Sequence, residues 1–433
     1  MTDCIAAIAT AHGTGGVAVI RLSGENALGL AKKMFSPVRE KVTPNRMYAG
    51  NISGDGFTDY GFMVYFKAPH SFTGENVVEF HCHGGVQIAR GILKKCLSLG
   101  ARAAERGEFT KRAFLNGKLS LSSAEGMIDM INAESLALIR AGSMMYTEKL
   151  TREVKEIQNE LKDVLAAIAV EIDYPEEDAD GADLKNIGLK LSKIYGDTEK
   201  LAESYKSGKK IKDGVTVALC GVPNVGKSSL LNALLGYERA IVSAEEGTTR
   251  DAVEGSVEID GVKFDLVDTA GIRERAGTVE SIGIERAKAV IRSADAVLLV
   301  TDGKTDCEIV SGATGKIIKV FNKCDCLKPF GEYDIALSAK TGEGVDKLKN
   351  LLLETCGGEI TSDKAYIVEE RHFDALKRAL HSLRSAKEGL FGVTLDLIAV
   401  DLKDAWDALG EITGETASEE IISTVFAKFC VGK

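Results

Sequence analysis

The sequence predicts a multidomain protein of α/β and α class: an N-terminal α+β domain, then a helical-bundle domain interrupted by an inserted α/β domain. Three observations predict it. A chain of 433 residues exceeds what one compact core supports. Near residue 119, short β-type runs with Gly-rich turns give way to a long Pro-free helical stretch. At "GVTVALC" strands begin to alternate with helices, and near residue 356 that alternation stops and helical periodicity returns. The expected domains are 1–118, a discontinuous helical domain of 119–212 plus 359–433, and the insert 213–358.

The N-terminal domain rests on the runs "GVAVIRLSG", "FMVYFK" and "NVVEFHCHGG" between glycine turns. His81, Cys82 and His83 alternate faces of a strand and lack a second ligand pair, so zinc is not expected. In the helical stretch, Ser122 and Glu125 have capping-box spacing; Pro175 and "EEDADGAD" end the run, and 186–208 resumes it. Trp406 shares helical spacing with Leu402 and Leu409 and reads as core. Expected strands of the insert are 215–220, 256–260, 263–268, 296–302, 316–321 and 334–338, with Asp260-Gly261 as a hairpin turn. The connection "KTDCEIVSGATGKIIKV" lacks a clear amphipathic helix, which suggests a shortened peripheral helix.

Composition narrows the class. Hydrophobic residues make up 45% and charged residues 27%, as in ordinary globular proteins. No run approaches about eighteen apolar residues, and "MTDCIAAIAT" lacks a basic start, so neither a membrane span nor a signal peptide is expected, and a cytoplasmic location is. Nine scattered cysteines, without framework spacing, read as reduced thiols. A net charge of −10 argues against nonspecific nucleic-acid affinity. A local basic face is still open: Arg102, Arg106, Lys111, Arg112 and Lys118 outnumber Glu105 and Glu108.

The chemistry concentrates in "GVPNVGKSSLLNALLG", directly after the first strand of the insert. Gly221, Gly226, Lys227 and Ser228 fit G-x-x-x-x-G-K-[ST] in its strand–loop–helix setting. Glycines let backbone N–H groups wrap phosphates, Lys227 reaches the β- and γ-phosphates, and the Ser228 hydroxyl suits Mg²⁺. "DTAG" (Asp268, Thr269, Ala270, Gly271) ends a strand where its carboxylate can serve Mg²⁺ and its last N–H the γ-phosphate. In "NKCD", Asp325 would accept the guanine N1–H and exocyclic amine, supported by Asn322 and Lys323, while Ser338, Ala339 and Lys340 close the base pocket. Adenine offers no such donor pair. Together these motifs resemble the set of a Ras-like P-loop GTPase domain.

Two positions refine that reading. Where Ras-type enzymes carry a water-orienting Gln, this chain has Ile272, so another group must act. Asn224 lies inside the phosphate loop, where its amide oxygen either ligates a monovalent cation or is a tolerated loop residue. "IVSAEEGTTRD" supplies the first switch, with Thr249 as the expected Mg²⁺ ligand. Beyond "DTAGIRER", Glu280 is either a water-positioning carboxylate or a solvated helix-start charge.

"GTGGVAVIRLSG", "SFTGENVVEFHCHGG", "GEFTKRAFLNGKLSL", "GVPNVGKSSLLNAL", "GTTRD", "DTAGIRE…VESIGIERA" and the terminal "FCVGK" together resemble the MnmE (TrmE) family of tRNA-modification GTPases along the whole chain. The resemblance implies a K⁺-dependent GTPase that homodimerises. It also implies an FAD-dependent MnmG/GidA-type partner, joined in a heterotetramer, and addition of an aminomethyl-type group at carbon 5 of a wobble uridine in certain tRNAs. By resemblance, the nucleotide site comprises Asn224, Val225, Gly226, Lys227, Ser228, Ser229, Ser243, Ala244, Glu245, Glu246, Gly247, Thr248 and Thr249 besides the later motifs. Asn224, Ser243, Glu245 and Thr248 match the K⁺ site, Ser228 and Thr249 the Mg²⁺ ligands, and Glu280 the water-orienting carboxylate. Arg21, Glu79, Lys118 and Lys433 match positions that bind a 5-formyl- or methylene-tetrahydrofolate donor.

The tail fits that picture. C-V-G-K is not a prenylation box, since Gly432 and Lys433 lack the required character. Phe426 and Phe429 are expected to anchor it by helical spacing. Cys430 resembles the family's C-terminal cysteine and either reacts with an electrophile, helped by neighbouring Lys433, or lines the site. Cys324 and Cys326 read as loop or core residues. The alternative from the GTPase motifs alone, a ribosome-assembly or RNA-binding protein of Era/Der type, calls for a KH-type RNA-binding domain with its G-x-x-G clamp; this chain has no such clamp beside an RNA-binding domain and instead ends in F-C-V-G-K.

Overall fold

A computed structural model describes residues 3–37, 41–173, 182–236, 240–241, 255–269, 280–303, 312–357 and 366–432. The chain divides into two compact units: Met1–Ile128, Met145–Leu191 and His381–Lys433 form one, Asp129–Met144 and Ser192–Leu380 the other. Among the described residues no helix is long and apolar enough to cross a membrane.

The first unit carries a seven-stranded sheet: β1 (Ile5–Ile8), β2 (Val17–Ser23), β3 (Phe35–Ser36), β4 (Met47–Ser53), β5 (Thr58–Phe66), β6 (Val77–His83) and β7 (Arg102–Ala103). Their spatial order is β3-β4-β5-β6-β2-β1-β7. Side chains alternate faces along a strand, so one face of β2 and β6 contributes Ile20, Leu22, Val78 and Phe80 to a core closed by Ala89, Ile92 and Cys96 of the helix Val86–Ser98. The other face carries Arg21, whose register partners are Ala7 and Glu79. Ile5, Ala7 and Ala104 pack there against Phe109, with Phe72 alongside.

The expected long helical run is three helices, Leu121–Ile131, Leu136–Tyr146 and Lys149–Asp173. The capping assignment shifts: Ser122 is buried inside the first helix and bonds Thr151 through its hydroxyl, while Ser120 accepts from the Ser123 N–H at 3.1 Å and does the capping. Lys149–Asp173 packs against Leu395–Thr413, held by Gln158 Nε2 donating to Trp406 O at 3.1 Å and by Lys155–Glu415 at 2.9 Å. Trp406 is half-buried beside buried Leu402 and Leu409 rather than enclosed in core.

The second unit carries β8 (Val215–Cys220), β9 (Ala240–Ile241), β10 (Gly255–Ile259), β11 (Val262–Asp268), β12 (Ala296–Thr301), β13 (Lys316–Phe321) and β14 (Ile335–Ala336). The order β14-β13-β12-β8-β11-β10-β9 is parallel through β11 and antiparallel beyond. Asp260 and Gly261, both at positive φ (47° and 83°), turn β10 into β11 as the sequence predicts. The β8 and β12 strands are near-continuous apolar runs because both faces are covered. The expected short connection after Thr301 lies partly outside the described residues, at 304–311.

The tail is docked rather than frayed. Phe426 and Phe429 are buried with Leu121, Ala124, Ile128 and Val425. Gly107 N–H donates to Cys430 O at 3.4 Å, and Arg106 bridges to Val431. Gly432 sits at φ 100°, and a Cβ there would lie 2.2 Å from Ile8 O. Truncating a buried aromatic anchor removes both transfer energy and packing. Phe429→Ala should therefore lower the unfolding free energy by about 3 kcal/mol or more, read by denaturant titration. A loss below about 1 kcal/mol would show that the tail is not part of the packed unit.

Candidate nucleotide site and N-terminal site

The loop between β8 and the helix Lys227–Gly236 is shaped by three positive-φ residues, Gly221 (151°), Asn224 (65°) and Gly226 (97°). A Cβ on Gly221 would meet Val300 O at 2.3 Å, and one on Gly226 would meet Asn322 Nδ2 at 2.4 Å. Neighbouring strands therefore leave no room for side chains there. Lys227 is buried, and its Nζ donates to Gly221 O (3.0 Å) and Val222 O (3.1 Å), which curls the loop around the ammonium. Val225 is buried under the loop, whereas Ser228 and Ser229 open the helix exposed.

Ser228 Oγ donates to Asp268 Oδ2 at 3.4 Å. A hydroxyl and a carboxylate so placed are hard oxygen donors of the kind Mg²⁺ takes. Thr269 faces inward, its Oγ1 donating to Leu219 O at 2.9 Å. Ala270 and Gly271 lie outside the described residues, as do Ser243, Ala244, Glu245, Glu246, Gly247, Thr248 and Thr249. Glu280 begins the helix Glu280–Ser293.

The base-reading side is tied to the phosphate loop. Asn322, buried at 2% exposure, donates Nδ2 to Val225 O at 2.8 Å, while its Oδ1 accepts from Lys323 N–H (2.8 Å) and Ala339 N–H (3.0 Å). Lys323, at φ 68°, sends Nζ to Asn224 O at 2.7 Å, with Asp302 at 3.7 Å. Asp325 is exposed, and Cys326 Sγ donates to its Oδ2 at 3.1 Å. That thiol, then the Ser338 hydroxyl, holds the carboxyl below its usual range, leaving it ionised as a pure acceptor. Ser338 is buried, with Ala339 half-buried and Lys340 exposed beside it. Cys326 was expected to be bland; its contact with Asp325 is only visible in three dimensions.

In the N-terminal unit, Arg21 Nε donates to Glu79 Oε1 at 2.8 Å, and its guanidinium lies 5.6 Å from the Phe72 ring centroid and 5.7 Å from that of Phe109. His81 Nε2 meets Glu79 Oε2 at 3.3 Å. Lys118 Nζ donates to Pro69 O at 3.1 Å and is exposed. Cys430 is exposed on the docked tail; Lys433 lies outside the described residues. The sequence signalled Arg21, Glu79 and Lys118 but not Phe72 or Phe109, which approach from other segments, nor His81, two residues beyond Glu79 on β6. Among the described residues no group of three His, Cys, Asp or Glu side chains is gathered for a metal.

Two of the five cations of the possible basic face at 102–118, Arg102 and Arg112, are spent internally. Arg112 is 1% exposed and pairs with Asp3 (2.8 Å), Glu75 (3.1 Å) and Glu108 (2.9 Å), and Arg102 pairs with Asp3 at 2.7 Å and with Glu108. Burial forces Arg112 to find carboxylates, and Arg102, though exposed, is engaged by the same acids, so these two present little charge to a polyanion.

Residues 4–118 match the family described as "GTP-binding protein TrmE N-terminus", and residues 121–430 match "MnmE helical domain". The chain is similar to the tRNA modification GTPase MnmE of Laribacter hongkongensis, 40% identical over all of this chain and 99% of that one. It is similar also to its namesakes in Natranaerobius thermophilus (39% identical, covering all of this chain and 99% of that one) and Alkaliphilus metalliredigens (38% identical, covering all of both).

Replacing an acceptor by a donor at the base-reading position should exchange specificity. Asp325→Asn is expected to weaken GTP binding by about 10²-fold or more and to gain affinity for xanthosine triphosphate, whose 2-oxo group accepts. Equilibrium titration with both nucleotides checks it. Unchanged GTP affinity would remove Asp325 from the site.

Proposed function

Because the chain belongs to the MnmE (TrmE) family of tRNA modification GTPases, we propose that it is the potassium-activated member of a two-protein wobble-uridine modification system. In this reading it works with an FAD-dependent MnmG/GidA-type partner in a heterotetramer and is itself a homodimer. The pair adds an aminomethyl or carboxymethylaminomethyl group at carbon 5 of the wobble uridine of certain tRNAs, in the cytoplasm. A 5-formyl- or methylene-tetrahydrofolate supplies the one-carbon unit. The domains are 1–118 for folate and dimerisation, 119–212 plus 359–433 for the helical support, and 213–358 for GTP.

The observation that carries the modification half is the Arg21–Glu79 pair set between Phe72 and Phe109. A pterin offers N–H donors to Glu79 and a flat face to the rings, and a glutamyl tail offers carboxylates to Arg21, Lys118 and Lys433. The docking of the tail beside β1 supports a role for Cys430 at this site, reactive or lining. An Era- or Der-type protein would have no use for these residues.

In the GTPase half, Lys227 neutralises the β- and γ-phosphates, and Asp325 reads guanine while Asn322 and Lys323 hold its loop to the phosphate loop. Ser228 and Thr249 would hold Mg²⁺, and Asn224, Ser243, Glu245 and Thr248 would hold K⁺. These cations supply positive charge where the transition state gathers negative charge. Glu280 orients the attacking water in place of the Gln that Ile272 displaces. The positive φ of Asn224, stabilised by Lys323 on its carbonyl, supports its assignment as a fixed ligand.

Two measurements test the halves separately. The full-length chain should bind 5-formyl-tetrahydrofolate in calorimetry, and Arg21→Ala should weaken this by about tenfold or more, the worth of one charged hydrogen bond, with GTP turnover intact. No binding by the wild-type chain would overturn the folate reading and favour the Era/Der alternative. GTP turnover should be faster in K⁺ than in Na⁺ at matched ionic strength, with the difference lost in Asn224→Ala. Equal rates in both salts would overturn the K⁺ assignment.

A further inference from the structure

A buried ionic cluster lies away from both sites, where the chain enters and leaves the sheet of the second unit. Lys212 ends the helix Tyr205–Asp213 three residues before β8, the strand that runs into the phosphate loop. Glu369 immediately precedes the helix Glu370–Gly389, on the returning chain. Asp129 comes from the helix Leu121–Ile131. Lys212 Nζ binds Asp129 Oδ1 at 3.0 Å and also Glu369 Oε1. Both carboxylate side chains are only 8% exposed, and Asp129 Oδ2 is buried with no hydrogen-bond partner.

Two carboxylates on one ammonium cannot both be ionised cheaply in such a place. Several neighbouring charges are engaged elsewhere. Glu134, on Asp129's side, is engaged by Lys263 at 2.9 Å, which also holds Asp265. On the returning helix Asp374 is taken by Lys377 at 2.7 Å, and Arg371 meets His372 at 2.9 Å; Asp213 and Glu370, next in sequence to Lys212 and Glu369, are further carboxylates. A buried carboxyl oxygen without a donor is satisfied most simply when the pair carries a proton.

We propose that Asp129, Lys212 and Glu369 form a proton-operated clasp that pins both chain crossings of the nucleotide-binding sheet. With one proton on the carboxylate pair the cluster is neutral and the crossings are held; without it, two anions face one cation and the hold weakens. Burial first, then the charge of Glu369, pushes Asp129 up to about 7. The folded value lies above the ordinary carboxylate value, so the stabilisation is complete near pH 4, declines as pH rises, and is gone once pH passes about 7. The raised value moves loss of the clasp's proton from the ordinary carboxylate range toward neutral pH.

Hydrogen exchange of the full-length chain, followed peptide by peptide from pH 5 to 8, tests this. Protection factors over residues 213–217 and 366–370 should fall by up to about tenfold per pH unit as pH approaches 7 and level off above it, the limit for one linked proton. Asp129→Asn, neutral at every pH, should reduce that slope to less than about twofold per unit. Glu369→Gln, which leaves Asp129 an ordinary partner for Lys212, should do the same and stands in if the first variant does not fold. A wild-type chain without the slope, or variants that retain it, would overturn the proposal.

Discussion

The nucleotide site depends on the carboxamide of Asn322. One side chain, buried at 2% exposure, fixes three loops by hydrogen-bonding Val225 O, Lys323 N–H and Ala339 N–H. Each bond is short only if the loops keep their relative positions, so the phosphate cradle and the base reader behave as one body. The same constraint dictates sequence elsewhere. Gly226 must lack a side chain because Asn322 Nδ2 occupies the space a Cβ would need, and Lys323 must take positive φ for its Nζ to reach Asn224 O.

Glycine plays a comparable part in the N-terminal unit, at the tail. Gly107, at φ 64°, passes so close to the helix end that a Cβ would lie 2.6 Å from Phe426 O, and Gly432 approaches Ile8 O as closely. These contacts seat the chain terminus on the strand whose Ala7 is the register partner of Arg21. Burial of Phe426 and Phe429 stabilises that seating, and the backbone geometry determines which residues reach the sheet face.

What could be read in the sequence was whatever is local along the chain. The phosphate loop, the alternating strands, the Asp260-Gly261 turn and the anchoring pair Phe426 and Phe429 each depend on spacing within a few residues. Three-dimensional competition decided the rest. Ser122 and Glu125 have the spacing of a cap, but Ser122 found a buried partner in Thr151 and Ser120 took over the helix end. Arg102 and Arg112 read as a basic face until carboxylates from Asp3, Glu75 and Glu108 are seen to absorb them. Phe72 and Phe109 fall within recognisable stretches, but nothing local places them beside Arg21; the loop before β6 and the helix Glu108–Leu115 bring them there.

A common electrostatic logic links the sites and reconciles a net charge of −10 with anionic ligands. The cations meant for ligands are already engaged: Lys227 by two loop carbonyls, Arg21 by Glu79. Binding is therefore an exchange of partners, in which gross attraction is partly spent and the surplus depends on fit. For Lys227 the displaced carbonyls belong to the loop that wraps the phosphates, so little is left unpaired. For Arg21 the exchange is stricter. A ligand carrying only an anion would draw Arg21 away and leave the largely buried Glu79 with His81 as its remaining partner. A ligand carrying both an anion and a row of N–H donors satisfies both members at once. In the proposed folate reading the pair would favour a bifunctional, flat molecule over a simple anion, and the flanking rings of Phe72 and Phe109 would reinforce that choice.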